Sequence, residues 1–266
     1  MFGFVSRWLP YTALGGVGLV GLGLLPPQPA RSVPARPADA PPQLNTLTPA
    51  ERRAGWQLLF DGHSARGWRS AKGATFPTHG WRIADGTLTT LAADGKESAN
   101  GGDIITTATY SAFDFCFEFQ LTPGANSGVI YFVTLAEQTP GSPIGLEYQL
   151  LDDARHPDAQ LGTNGDRTLA SLYDLIPAVK PSASQRPIGT WNVGRVVVYP
   201  TNHVVHYLNG VKVLEYDRGS PAFRTLVAGS KYHVWPNFGK APAGHLLLQD
   251  HGFQVAFRSL KLRPLQ

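Results

Sequence analysis

The stretch FDFCFEFQL, residues 113–121, decides the fold class. Phe113, Phe115, Phe117, Phe119 and Leu121 alternate with Asp114, Cys116, Glu118 and Gln120. An extended chain turns that period of two into one apolar and one polar face, so the segment reads as a long strand lying on a core. Working outward, segments 204–208 and 211–216 flank Asn209-Gly210, the pair best suited to the positive φ angles of a two-residue hairpin turn. Further strands are expected at 128–134, 146–151, 191–199, 245–249 and 254–262, separated by clusters of Gly, Pro, Asn and Asp. No helical period of comparable length is present. Repeated short strands over roughly 200 residues predict an all-β, two-sheet sandwich of jelly-roll type.

The 266 residues divide unevenly. Residues 1–27 hold Arg7, an apolar run over 8–25 and Pro26-Pro27, the layout of a secretory signal peptide. A retained membrane anchor is the alternative, since the run approaches the ~20 residues that span a bilayer. Pro10 and the many glycines favour export. Residues 28–47 are rich in Pro and Ala and read as an extended linker. The folded domain is then 48–266, opening on a helix cap with Thr48 at the N-cap, Pro49 behind it and Glu51 completing a capping box. The net charge of +4 is spread singly along the chain, so nucleic acid is not an expected partner. Cys116 is the one cysteine; it excludes an intrachain disulfide and reads as an unreactive thiol.

Several segments in order carry a family resemblance: GWQLLFDGHSARGW (55–68), WRIADGTL (81–88), GDIITTATYSAFDFCFEF (102–119), GANSGVIY (124–131), GLEYQLLDDARHPDA (145–159), HYLNGVKVLEY (206–216) and GHLLLQDHG (244–252). Together they resemble the 3-keto-disaccharide hydrolase domain family over about residues 50–265. That resemblance implies a concanavalin-A-like sandwich, a bacterial protein exported to the periplasm or beyond, and action on glycosides oxidised at sugar C3. The chain lacks the Glu-x-Asp-x-Glu strand of glucanases with this fold, which disfavours ordinary two-carboxylate hydrolysis. A C3 ketone acidifies the C2 proton. A base can therefore remove it, the enolate can expel the C1 substituent, and water can add to the product.

Glu147 and Gln149 share the polar face of one expected strand, which runs into Asp152, Asp153 and His156. Glu147, Asp152 and His156 form a candidate ligand set for a divalent metal ion; no organic cofactor is expected. A solvated strand face followed by turn acids is the plainer reading. Glu147, His156, Asp250 and His251 are the expected catalytic residues, the last two from the QDHG turn that the resemblance singles out. Glu118, Asn126, Gln149, Tyr173, Lys231 and Trp235 are candidate carbohydrate-binding residues. Residues 152–188 read as a long ordered loop crossing one face, pinned by Leu172, Tyr173, Leu175 and Ile176. The expected activity is cleavage of 3-keto-glycosides by proton abstraction, elimination and hydration. A lectin-like binding module is the alternative.

Overall fold

The computed structural model describes residues 43–266 apart from 94, 99, 140 and 141. The apolar segment and most of the linker therefore lie outside the described residues. Among the described residues no helix is long and apolar enough to cross a membrane. The strands in chain order are β1 (Gln57–Leu58), β2 (Trp68–Ser70), β3 (Trp81–Ala84), β4 (Thr87–Thr90), β5 (Ile104–Thr106), β6 (Phe113–Leu121), β7 (Asn126–Val133), β8 (Leu146–Leu151), β9 (Asn192–Val198), β10 (His203–Leu208), β11 (Val211–Asp217), β12 (His245–Leu248) and β13 (Val255–Pro264). They form two antiparallel sheets. The larger runs β11-β10-β9-β6-β13-β4-β3, with β1 also on β13, and the smaller runs β2-β5-β12-β7-β8. This is the all-β, concanavalin-A-like sandwich expected from the sequence.

The alternating stretch occupies the middle of the larger sheet, between β9 and β13. Phe113, Phe115, Phe117 and Phe119 are fully buried between the sheets. Phe117 meets the Tyr148 ring edge-on at 5.3 Å, and Gly194 leaves it room, since a Cβ there would stand 2.3 Å from the ring. The β10–β11 hairpin turns through Asn209 and Gly210, both at positive φ. Helix α1 (Pro49–Arg53) carries the predicted capping box. Asn45, inside the stretch read as linker, is buried, and its side-chain oxygen accepts the Ser259 N–H at 2.8 Å. The packed domain thus starts slightly ahead of residue 48. Helix α2 (Pro221–Gly229), capped by Ser220, is an addition that the strand pattern does not announce.

Two outer faces remain, and they differ. The larger sheet presents Asp114, Glu118, Arg195, Arg258 and Arg263 in ion pairs. The smaller sheet presents Asn126, Gly128 and Ile130 of β7 beside Glu147 and Gln149 of β8, with Gly128 opposite Gln149 and Ile130 opposite Glu147. Its edge strand β8 is not left bare. The Gln149 carbonyl accepts Ala170 N–H at 2.8 Å, Gln149 N–H donates to Ser171 at 3.1 Å, and Tyr173 N–H donates to Glu147 at 3.1 Å. The long loop therefore straps the edge and roofs the polar residues next to it.

Phe117→Ala is expected to destabilise the domain by about 3–5 kcal/mol, as a large buried ring in a sandwich core should. Glu118→Gln, which loses only a part-exposed ion pair to Arg258, should cost under about 1 kcal/mol. Denaturant melts of the two variants check the assigned faces; equal losses would place the strand in the wrong register.

Candidate active site

Two chambers with part of their lining in common lie on the outer face of the smaller sheet. The first, about 150 Å³, is lined by Glu97, Asn126, Glu147, Gln149, Tyr173, Lys231, Gln249 and His251. The second, also about 150 Å³, shares Glu97, Glu147, Lys231 and Gln249 and continues past Ile130, Ile144, Tyr232 and Trp235. Strand alternation explains the shared wall. Leu146, Tyr148 and Leu150 enter the core between the sheets, which leaves Glu147 and Gln149 pointing the other way, under the loops. Gly128 makes that possible, because a Cβ there would lie 2.3 Å from Glu147 Oε1.

Glu147 is 7% exposed. Burial is the main cause that pushes its carboxyl up to about 8; Lys231 pulls it back, and Glu97, Asp158 and Asp103 add to the rise. The group is therefore a neutral acid at pH 7. Around it, three buried side-chain atoms lack a hydrogen-bond partner among the described residues: Asn126 Oδ1, Gln249 Oε1 and His251 Nδ1. Each unmet buried polar atom costs about 1–3 kcal/mol unless something binds it. All three residues line the first chamber, which gives it a few polar groups free to orient a ligand.

The roof is fastened by charge. Arg167 bonds Asp174 through Nε at 2.8 Å and reaches Asp158 through a second nitrogen at 3.1 Å. Asp174 in turn accepts Lys231 N–H at 2.9 Å. Tyr173 hydrogen-bonds Asp158, and burial drives its phenol well above the ordinary range. Lys231 Nζ rests 4.2 Å over the Tyr173 ring. Two loops distant in sequence are thereby held against one another over the chamber.

Most of the chain is similar to known proteins. Residues 55–263 match the 3-keto-alpha-glucoside-1,2-lyase-like domain. The chain belongs to that family. It is 34% identical over 232 residues to the 3-keto-disaccharide hydrolase of Bacteroides thetaiotaomicron, a match covering 79% of each protein. A crystal structure from Parabacteroides distasonis ATCC 8503, provisionally assigned as a glycosyl hydrolase, shares 28% identity at a TM-score of 0.72 and covers 84% of this chain and 100% of its own. A second structure from that organism, at 23% identity and a TM-score of 0.54, covers 85% of this chain and 92% of its own and supports the fold alone. Membership makes this chain an enzyme of the hydrolase or lyase kind.

Of the residues named from the sequence, Glu147, His251, Asn126, Gln149, Tyr173, Lys231 and Trp235 line one or both chambers. Asp250 does not join them. It is fully buried, with Oδ2 accepting Gly101 and Gly102 N–H at 3.0 Å each and Oδ1 accepting Gly252 N–H at 3.1 Å, so it anchors the loop that carries Glu97. His156 lines neither chamber: its Nδ1 accepts Asp158 N–H at 3.2 Å, and its ring stands 6.4 Å edge-on from His251. Burial, first, and then His251 hold its imidazole below the ordinary value, against Asp158. Asp152 is spent on Gly124 N–H at 2.8 Å, Ala154 N–H at 3.2 Å and Arg155 at 3.1 Å. Glu118 lies across the sandwich on the outer face of the other sheet, paired with Arg258. Among the described residues no group of three or more His, Cys, Asp or Glu could hold a metal, so Glu147, Asp152 and His156 do not fit the expected divalent ion. Glu97 and Gln249 are site residues that sequence reading missed. Gln249 carried a signal, as the polar end of an apolar strand; Glu97, exposed in a turn-rich loop, carried none.

Glu147 makes stability depend on pH with a definite sign. Its ordinary value of 4.5 applies in the unfolded chain and about 8 in the folded one, so the fold binds more protons between those limits and loses stability as pH rises through them. His206, fully buried and held near 4 by desolvation, acts oppositely between about 4 and 6.5 and is present in any comparison. The stability of Glu147→Gln relative to the unsubstituted protein should therefore climb from pH 5 to pH 8, by roughly 3–5 kcal/mol. Urea melts across that range check it; a flat difference would mean the carboxyl is ionised at neutral pH.

Proposed function

We propose that the chain cleaves 3-keto-glycosides by elimination and rehydration, with the reacting sugar ring in the first chamber. The observation that carries this reading is one neutral, buried carboxyl, Glu147, beside the unpaired atoms of Asn126, Gln249 and His251. The Bacteroides relative's activity on 3-keto-disaccharides supports it. His251 takes the C2 proton acidified by the C3 ketone, and the electron pair forms an enolate whose collapse breaks the C1–O bond. Glu147 gives its proton to the departing oxygen, so the aglycone leaves as a neutral alcohol. Lys231, close enough to pull on the Glu147 carboxyl, supplies positive charge beside the enolate oxygen. In the second half, water adds to C1 of the unsaturated ketone while the Glu147 carboxylate accepts its proton, and the His251 imidazolium returns a proton to C2. One water is consumed, and the free 3-keto sugar and aglycone are released.

A second reading rests on Glu97. It lines both chambers with Glu147, and two carboxyl groups in one cavity are the equipment of ordinary glycoside hydrolysis. The oxidised and unoxidised forms of one glycoside separate the two. Purified protein should release the aglycone from the keto form only; equal turnover of the parent would favour the Glu97 pair. Glu147→Gln and His251→Ala should each lower turnover of the keto form by roughly 10²-fold or more without loss of folding. Because the free enzyme must hold Glu147 protonated, kcat/KM should fall above about pH 8, and this limb should be missing from Glu147→Gln.

We also propose that the protein acts outside the cytoplasm, in the periplasm or secreted, on the strength of Arg7, the apolar 8–25 run and the Pro/Ala-rich stretch that follows. N-terminal sequencing of protein recovered from periplasm and medium should give a start between residues 26 and 45. Intact Met1 found only in the cytoplasm would overturn this.

A further inference from the structure

We infer that the second chamber is the leaving-group site and that it selects an aromatic aglycone, a ring with few hydroxyl groups, over a second sugar. The inference rests on the proposed elimination for which group occupies each chamber, and on the lining for its chemistry.

Polarity is divided sharply between the two compartments. The unpaired Asn126 Oδ1 and His251 Nδ1 belong to the first chamber alone, and Gln249 Oε1 to the shared wall. Among the described residues, those that line only the second chamber carry no charged side chain. Its walls are Ile130, Pro143, Ile144, Tyr232 and Trp235. The two hydroxyl-bearing residues of the loop at its mouth are turned to the protein: Ser142 Oγ donates to Asp103, and Thr139 Oγ1 accepts Ser142 N–H at 2.9 Å. Tyr232 is buried and stacked on Phe238 at 3.9 Å, and the Trp235 ring stands 6.2 Å from Tyr232, which gives the chamber a rigid aromatic wall. Beyond the shared wall of Glu97, Glu147, Lys231 and Gln249, a hexosyl leaving group would lose water from its hydroxyls here and find few partners. An aryl group would lose little and gain ring contacts.

Size and the position of the acid agree. Each chamber is about half the lower bound of the ~300–1,000 Å³ that holds a drug-sized ligand, so the pair suits two rings, one in each. Glu147 lies in the wall common to both, where the bond between the two rings must pass. The proton donor thus stands at the leaving oxygen and the hydroxyl-binding atoms stand around the sugar.

The test compares phenyl, methyl and glucosyl 3-keto-glucosides of one anomeric configuration. The phenyl compound should show the highest kcat/KM, at least tenfold above the glucosyl one after correction for leaving-group acidity by a substituted-phenyl series. Trp235→Ala should lower the phenyl-to-methyl ratio about tenfold, and Trp235→Phe should restore most of it. Ile144→Asn, a change in the same wall on a separate loop, should shift preference toward the glucosyl compound. An unchanged ratio in both Trp235→Ala and Ile144→Asn, or a glucosyl preference in the unsubstituted enzyme, would overturn the inference while leaving elimination intact. Should no keto-glycoside be turned over, the catalytic reading falls, and calorimetric binding of phenyl and methyl glucosides to the same proteins still decides the chamber: tighter phenyl binding lost in Trp235→Ala supports it, and equal binding refutes it.

Discussion

Three backbone hydrogen bonds along the free edge of β8 hold the site together. They join Ala170, Ser171 and Tyr173 to Gln149 and Glu147, so the strap continues the sheet where it would otherwise end. An uncovered edge would leave Glu147 in water with an ordinary carboxylate affinity for protons. Covered, it loses its solvation and becomes an acid that is neutral at physiological pH. The strap is held from the core side as well. His206, on β10, places Nδ1 3.0 Å from the Ala170 carbonyl and Nε2 2.8 Å from the Tyr131 hydroxyl, which also meets Tyr216. With the imidazole neutral, Nδ1 donates to the carbonyl and Nε2 accepts from the phenol, one consistent tautomer across a fully buried chain of groups. Core packing between the sheets and acidity on the outer face are thus linked through one loop.

The acidic residues around the site divide by what satisfies them. Asp250 and Asp152 each meet two or more backbone N–H groups, and Asp153 meets Leu169 N–H at 2.7 Å and Lys180 at 2.9 Å; these carboxylates fold loops. Asp103 is an intermediate case, pushed up to about 7 by burial while accepting from Ser142 and from Asp250 N–H. Glu147, in the wall of both chambers, has its proton affinity raised by desolvation against the pull of Lys231. Hydrogen-bond donors fix a carboxylate as an anion and remove it from proton transfer near neutrality. Their scarcity leaves the proton affinity of Glu147 raised, as its proposed role as an acid requires.

Legibility in the sequence followed the range of the interaction. Period-two alternation is local, so β6 and β8 were readable to the residue, and the Asn209-Gly210 hairpin to its turn. The same alternation placed Glu147 and Gln149 together on one face. Which acid is spent on a loop and which is free depends on contacts such as Asp250 with Gly101, far along the chain, and no local pattern encodes them. Glu118 shows the limit well: its strand and its polar face were both correct, yet a sandwich has two outer faces, and alternation does not say which of them the loops cover. Glu97 was invisible because an exposed Glu in a turn-rich loop has no periodicity to betray it.

The arrangement also bears on the proposed preference for a ketone over an intact sugar. Ordinary hydrolysis builds positive charge at the anomeric carbon and needs a second carboxylate held at a fixed distance from the first. Glu97 is exposed on its loop, whereas Glu147 is enclosed. Elimination from a 3-keto sugar builds negative charge on an oxygen, and a cation such as Lys231 with an enclosed neutral acid serves that charge better than a pair of carboxylates would. In the proposed elimination the enolate would face Lys231 and the enclosed Glu147, with the exposed Glu97 also in that lining.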